Sequence, residues 1–329
     1  IGRHGAIRSV QVGVCFSAVG CLLAAIGHPL ALAASALVIG LGYGPMTPAS
    51  SVVLSRWAPA RRLGLVMSIK QTGVPLGYFA TGFGLPLLAA AVGWQTAFFV
   101  LAGLALLTAG AMTPAARRLD ERGGSGIGGG FASARLSLGL LKRHPGLRRI
   151  AFASLAFAGV QVTVTSFLVV YLEGRVGLEK QLAAWPLAVA GVAAVAGRIG
   201  WGWLADAMPT ARLLTVLPIL MALTMLALIS SAATWGYLPL TGLGLAIGFS
   251  VLAWNGVMLI EAARQAPVGQ IGPATSGVLA LTFLGSTIFP QLLSLTVGVL
   301  GSYQVGFIAM TLVCGAVVFC YLPDAIKKL

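Results

Sequence analysis

Acid is scarce in this sequence. Its 329 residues hold seven Asp and Glu against 21 Lys and Arg, and only 9% of the chain is charged. Soluble globular chains carry about 25% charged residues. With 58% apolar residues and a mean hydropathy of +0.96, the chain reads as an all-α protein that crosses a membrane many times. Its apolar surface then faces lipid and other helices. No acid falls in the middle of an apolar run: Asp120 and Glu121 are in a loop, Glu173 and Glu179 near run ends, Asp206 in a turn, Glu261 near a run end and Asp324 in the tail. Carriers that couple to protons commonly use an intramembrane carboxylate, and exporters of lipophilic cations want one too. The absence counts against the second class. For the first, either coupling resides in helices ahead of Ile1 or no mid-membrane acid is used.

Histidine and cysteine are also scarce. His4, His28 and His144 lie at run edges without partners at metal spacing. Cys15, Cys21, Cys314 and Cys320 all lie inside apolar runs with no C-x-x-C pair, so neither a disulfide framework nor a zinc site is expected. They read as small packing residues. No nucleophile–base pair stands out either, so the chain is not read as an enzyme, and no metal or cofactor is expected. The net charge of +14 would suggest nucleic acid in a soluble protein. In a membrane protein it reflects the Lys and Arg that collect in cytoplasmic loops, and no nucleic-acid partner is expected. No cleavable signal peptide is visible, because the first apolar run continues into a multi-span pattern.

What the chain does have is long apolar runs. A span needs about 20 apolar residues, and ten runs qualify: 10–27, 30–55, 62–91, 95–112, 150–172, 182–204, 212–232, 236–262, 274–300 and 303–322. One connection, 113–149, is long, polar and basic. Its glycine run, Gly123 to Gly130, lacks the Gly-Lys-Ser/Thr ending of a phosphate loop and reads as a flexible linker. Leu136, Leu138, Leu140 and Leu141 then mix with Arg135, Lys142 and Arg143, which suits a short helix on the membrane surface. The expected division is therefore a four-helix bundle over 1–112, a central loop over 113–149 and a six-helix bundle over 150–329. If the long loop is cytoplasmic, that face collects every Lys and Arg except Arg175, Lys180, Lys70 and Arg198. That asymmetry predicts both termini on the cytoplasmic side of the plasma membrane.

Two runs are joined by Gly197-Arg198-Ile-Gly-Trp-Gly202-Trp-Leu-Ala-Asp206, with Arg212 six residues on. Such a turn cannot lie in lipid, where its amides would go unpaired. This stretch resembles the cytoplasmic loop signature of the major facilitator superfamily of transporters, which occurs once per half in a full-length member. The halves also repeat. Arg8 matches Arg212, Gly40 matches Gly244 and Gly44 matches Gly248 at an offset of 204, while Gln95 matches Gln304 and Phe98 matches Phe307 at 209. Spans one to four thus repeat spans seven to ten, as parallel repeats do in this superfamily. Gly2 falls opposite Asp206, so two helices and roughly 55 residues are expected ahead of Ile1, making ten helices of twelve.

Lys70 is the leading candidate for the chemistry. It lies eight residues in from Arg62, about 12 Å along a helix axis. A cation that deep either faces a water-filled path or partner, or snorkels back to the surface. Gln71 and Thr72 add donors beside it. Arg198 is the second cation within a run, read as a substrate ligand or as an anchor at the helix end. The resemblance implies that the helices of Lys70 and Arg198 meet across the two halves, near a shared cavity. Two bases without an acid favour an anion, and arginine can clamp a carboxylate with two hydrogen bonds. Tyr43, Gln161, Trp254 and Asn255 are weaker candidates, with interhelical hydrogen bonding as the alternative. Asp206, Arg212 and Arg8 are read as gate residues. Gly64, Gly73, Gly77 and Gly82 fit the spacing of the superfamily's antiport motif, but Tyr78 and Thr81 depart from it. The wording from Lys70 to Gly77 is similar to that of cyanate-type bacterial permeases.

The expected function is therefore secondary transport of a small organic or inorganic anion by alternating access, with the bilayer and a coupling proton or ion as partners and a monomer as the working unit. Export of drug-like compounds and a non-transporting sensor or scaffold are the alternatives.

Overall fold

The computed structural model of the chain describes residues 5–120 and 131–326, leaving aside the side chains of residues 60, 78–84, 86, 119, 131–134 and 324–326. The linker expected at 123–130 therefore lies outside the described residues, as do the side chains of Tyr78 and Thr81. The described residues form helices joined by short turns, with no strand among them. The helices are α1 (Ala6–Ala24), α2 (Pro29–Tyr43), α3 (Met46–Trp57), α4 (Leu63–Val92), α5 (Trp94–Ala111), α6 (Thr113–Leu119) and α7 (Phe131–Arg143), followed by α8 (Pro145–Gly174), α9 (Lys180–Ala207), α10 (Thr210–Ile229), α11 (Tyr237–Ala246), α12 (Asn255–Gln265), α13 (Ile271–Leu300) and α14 (Tyr303–Ile326). Among the described residues, nine stretches are long and apolar enough to cross a membrane, with α2–α3 and α11–α12 each counting as one. The tenth expected run is α4, whose 30 residues reach about 45 Å, beyond the roughly 30 Å of hydrocarbon a bilayer presents.

The chain divides into two compact units. One comprises Ile1–Ala58, Leu76–Leu140 and Ala266–Ser276; the other comprises Pro59–Pro75, Leu141–Gln265 and Gly277–Leu329. In the first, α1 packs on α2, α3 and α5; in the second, α10 packs on α14, and α9 on α8 and α11. The second unit buries Phe157, Leu168, Leu172, Leu214, Leu217, Met221, Met225 and Phe307 completely. Outward, by contrast, stand Leu238 at 85% exposure, Val299 at 80% and Phe319 at 76%. Bare apolar side chains in such number suit lipid, not water. Hydroxyls inside the helices bond back one turn, as Thr163 does to the Gly159 carbonyl at 2.7 Å and Thr224 to Leu220 at 2.7 Å, which lets them sit in an apolar core.

The internal repeat is visible in helix lengths. The stretches Pro29–Trp57 and Tyr237–Gln265 both have 29 residues, and both are broken near the middle. The helices after them, α4 and α13, both have 30. Each of these ends in a left-handed glycine, Gly93 at φ 83° and Gly301 at φ 63°, a conformation that costs any other residue a steric clash.

Candidate functional site

The site grows from the break between α11 and α12. Residues Ile247–Val251 form a π-helical turn, and the Leu252 amide reaches back five residues to the Ile247 carbonyl at 3.0 Å. A π turn widens the ladder and frees carbonyls. Helix α9 supplies the donors. Trp201 Nε1 donates to the Phe249 carbonyl at 2.6 Å, and Arg198 Nε donates to the Leu252 carbonyl at 2.9 Å. Glycines let the two helices approach closely enough. A Cβ on Gly248 would stand 2.4 Å from Ala193 Cβ, and one on Gly244 would stand 2.6 Å from the Pro186 carbonyl oxygen.

Beyond the break, Trp254 and Asn255 turn toward α8. Trp254 Nε1 donates to Gln161 Oε1 at 2.8 Å, Asn255 Nδ2 donates to the same oxygen at 3.2 Å, and the Trp254 ring meets Phe157 edge-on at 5.6 Å. Three of the sequence candidates thus form one hydrogen-bonded group, and Trp254 is only 2% exposed.

The first turns of α4 meet this assembly. Arg198, 2% exposed, also donates through a terminal guanidinium nitrogen to the Gln71 carbonyl. Beside Gln71, the Lys70 ammonium nitrogen is buried and makes no hydrogen bond. Its stem therefore does not carry the charge out to the surface. A buried cation without a partner costs several kcal/mol, which a bound anion or water can offset. The Leu252 and Gln71 carbonyls hold the Arg198 guanidinium in place.

At the N-terminal end of α4 the arrangement is electrostatic. Asp206 accepts from the Gly64 amide at 2.8 Å through Oδ1 and from the Leu65 amide at 2.9 Å through Oδ2. These amides have no partner within their own helix, and a carboxylate there also meets the positive end of the helix dipole. Arg264 joins from α12, 3.7 Å from Asp206 Oδ1 and 3.1 Å from the Ala205 carbonyl. Three helix ends are so tied together. The first unit contains the same device. Asp120 accepts from the Ile7 amide at 3.0 Å and the Arg8 amide at 2.9 Å, capping α1.

Tyr43, on α2 in the first unit, is 42% exposed. Arg8 enters the α1 cap through its amide, and the Arg212 amide closes the first turn of α10 on the Pro209 carbonyl at 3.0 Å. Sequence reasoning missed Trp201, Arg264, the π turn and the Asp120 cap. It also missed Ser68, 1% exposed on α4, which sits against Gly202 and Gly256. The doubled Gly–Ser spacing, Gly64 to Ser68 and Gly272 to Ser276, was the available signal. Among the described residues no group of three His, Cys, Asp or Glu could hold a metal.

Comparison with known proteins adds three observations. A family model described as Major Facilitator Superfamily matches residues 1–266. The chain is similar to monocarboxylate transporter 11 of Mus musculus, 27% identical across 99% of this chain and 74% of that protein, and to monocarboxylate transporter 13 of Bos taurus, 26% identical across 98% and 74%. Neither of these relatives is named as a cyanate-type carrier. Among solved structures it resembles FucP, a major facilitator transporter in its outward conformation, with a TM-score of 0.73 and 16% identity over 99% of this chain and 84% of that one. It also resembles the proton:xylose symporter XylE, with a TM-score of 0.72 and 16% identity over 97% and 80%.

Proposed function

Since the chain belongs to the major facilitator superfamily, and is thereby an integral membrane protein and a secondary transporter, we propose that its substrate is a small carboxylate-bearing anion. The observation that carries this reading is the buried Lys70 ammonium without a hydrogen-bond partner. Such a charge is expensive in a span, and an anionic substrate would relieve it on binding. Arg198 adds a second positive charge on the other side of Gln71, fixed by the Leu252 and Gln71 carbonyls. Gln161, Trp254 and Asn255 would line the same path with donors and an aromatic wall, and Gln71 and Tyr43 would contact substrate on its way. The transported class in the names of the relatives, monocarboxylate, agrees with this chemistry.

In this reading two bundles, residues 1–112 and 150–329, rock about the site. Asp206, Arg212 and Arg8 hold or release the ends of α4, α10 and α1. The end of α4 that Asp206 caps faces the cytoplasm, as do both termini, and a monomer suffices. A coupling proton would travel with the anion.

The test is uptake of labelled small carboxylates by proteoliposomes, beside a lipophilic cation, in wild type and Lys70→Ala. Carboxylate uptake abolished by Lys70→Ala supports the proposal. Cation movement indifferent to Lys70 would replace it with drug-like export.

A further inference from the structure

Ser68 is out of keeping with its neighbours. Many hydroxyls on the other helices bond back to a carbonyl one turn earlier, as Ser250 does to Ala246 at 2.6 Å and Thr275 to Ile271 at 2.8 Å, although Ser154 on α8 is also buried without a partner. The Ser68 hydroxyl is fully buried and has no partner. It is wedged between two other helices. A Cβ built on Gly202 of α9 would lie 2.4 Å from Ser68 Oγ, and one on Gly256 of α12 would lie 2.1 Å from it. One turn nearer the helix end, a Cβ on Gly64 would meet the Gly202 carbonyl at 2.7 Å, Asp206 Oδ1 at 2.7 Å and Ile260 Cδ1 at 2.8 Å. The α4 backbone therefore lies directly against α9 and α12, with Ser68 as the knob in a socket made by two glycines.

We propose that Ser68, seated between Gly202 and Gly256, is a positioning residue of the transport cycle: the latch that closes this end of the path and also limits how firmly it closes. The reading rests on alternating access as proposed above. Tight packing and the Asp206 cap favour the docked state, because small residues let helix backbones meet. The orphaned hydroxyl opposes them, since a buried polar group without a partner carries its full desolvation penalty. On undocking, Ser68 meets water and recovers its hydrogen bonds. The two effects nearly cancel, as a carrier that must open and close in each cycle requires.

The latch makes opposite predictions for changes at one residue. Ser68→Ala removes the orphan and keeps the fit, so the docked state gains. Ser68→Val overfills the socket, and Gly202→Ala and Gly256→Ala narrow it, so the docked state loses. The test is pulsed spin-label distance measurement in proteoliposomes, on protein whose four native cysteines are replaced and whose exposed Arg62 and Trp203 carry the labels through Arg62→Cys and Trp203→Cys. We expect two separations in wild type. Ser68→Ala should raise the ratio of short to long about fivefold or more, and Ser68→Val and Gly256→Ala should lower it. Should either glycine variant fail to insert, the two Ser68 variants still decide. Distributions matching wild type in both Ser68→Ala and Ser68→Val would overturn the latch and leave Ser68 as ordinary packing. The distances need no substrate, so failure of carboxylate uptake would remove the anion reading while leaving this result intact.

Discussion

At the scale of single residues, the two carboxylates that matter are used as helix caps. Asp206 and Asp120 each accept two backbone amides at the start of a helix they do not belong to. Asp206→Ala should cost about 0.5–2 kcal/mol, the usual loss for removing a cap side chain. Asp206→Asn keeps one acceptor but forfeits the second amide bond, the Arg264 pair and the dipole term, the last about 0.3–1 kcal/mol. The order wild type, Asn, Ala should appear both in the melting temperature of detergent-purified protein and in transport rate, with membrane insertion unchanged. Equal rates in all three would remove Asp206 from the gate. Asp206 stood out in the sequence because its surroundings form a known signature. Its amide partners, 142 and 141 residues away, could not be read from any local pattern.

At the scale of elements, the broken stretch α11–α12 depends on donors borrowed from α9. Arg198→Leu would strand the Leu252 and Gln71 carbonyls, each worth about 1–3 kcal/mol when left unpaired. The variant should therefore melt lower even without substrate. Arg198→Lys restores the charge but not a fork that reaches two carbonyls, so it should recover only part of the stability. Full recovery of the melting temperature by lysine would contradict the clamp. Glycines give a second contrast. Gly301→Ala forces a side chain onto φ 63° and should cost about 1–2 kcal/mol. Gly298→Ala, with open space around its added Cβ, should be neutral or stabilising by about 0.5–1 kcal/mol. The existence of these helices was legible from apolar run length. The π turn was not. Its sequence, Ile247-Gly-Phe-Ser-Val251, contains no proline and keeps the hydropathy of a continuous helix. Only the neighbour's donors make the break stable.

At the scale of the whole molecule, the repeat was legible in matched glycines and polar residues, and the matched 29- and 30-residue stretches agree with it. The candidate site was legible only in part. Lys70 and Arg198 announced themselves as cations in apolar runs, and Gln161, Trp254 and Asn255 as polar side chains within them. That those three share a single amide oxygen, and that Arg198 spends donors on backbone, depends on three-dimensional packing that periodicity does not encode. The assignment of an anion hangs on Lys70. Its charge should be separable from its bulk, since Lys70→Arg retains a cation and Lys70→Met retains the stem.

Uptake of a labelled short-chain monocarboxylate into proteoliposomes, measured for wild type, Lys70→Arg and Lys70→Met at equal reconstituted protein, addresses the central claim most directly. The account predicts saturable uptake in wild type, a measurable remainder in Lys70→Arg and loss to background in Lys70→Met. Uptake in Lys70→Met equal to that of wild type would contradict it.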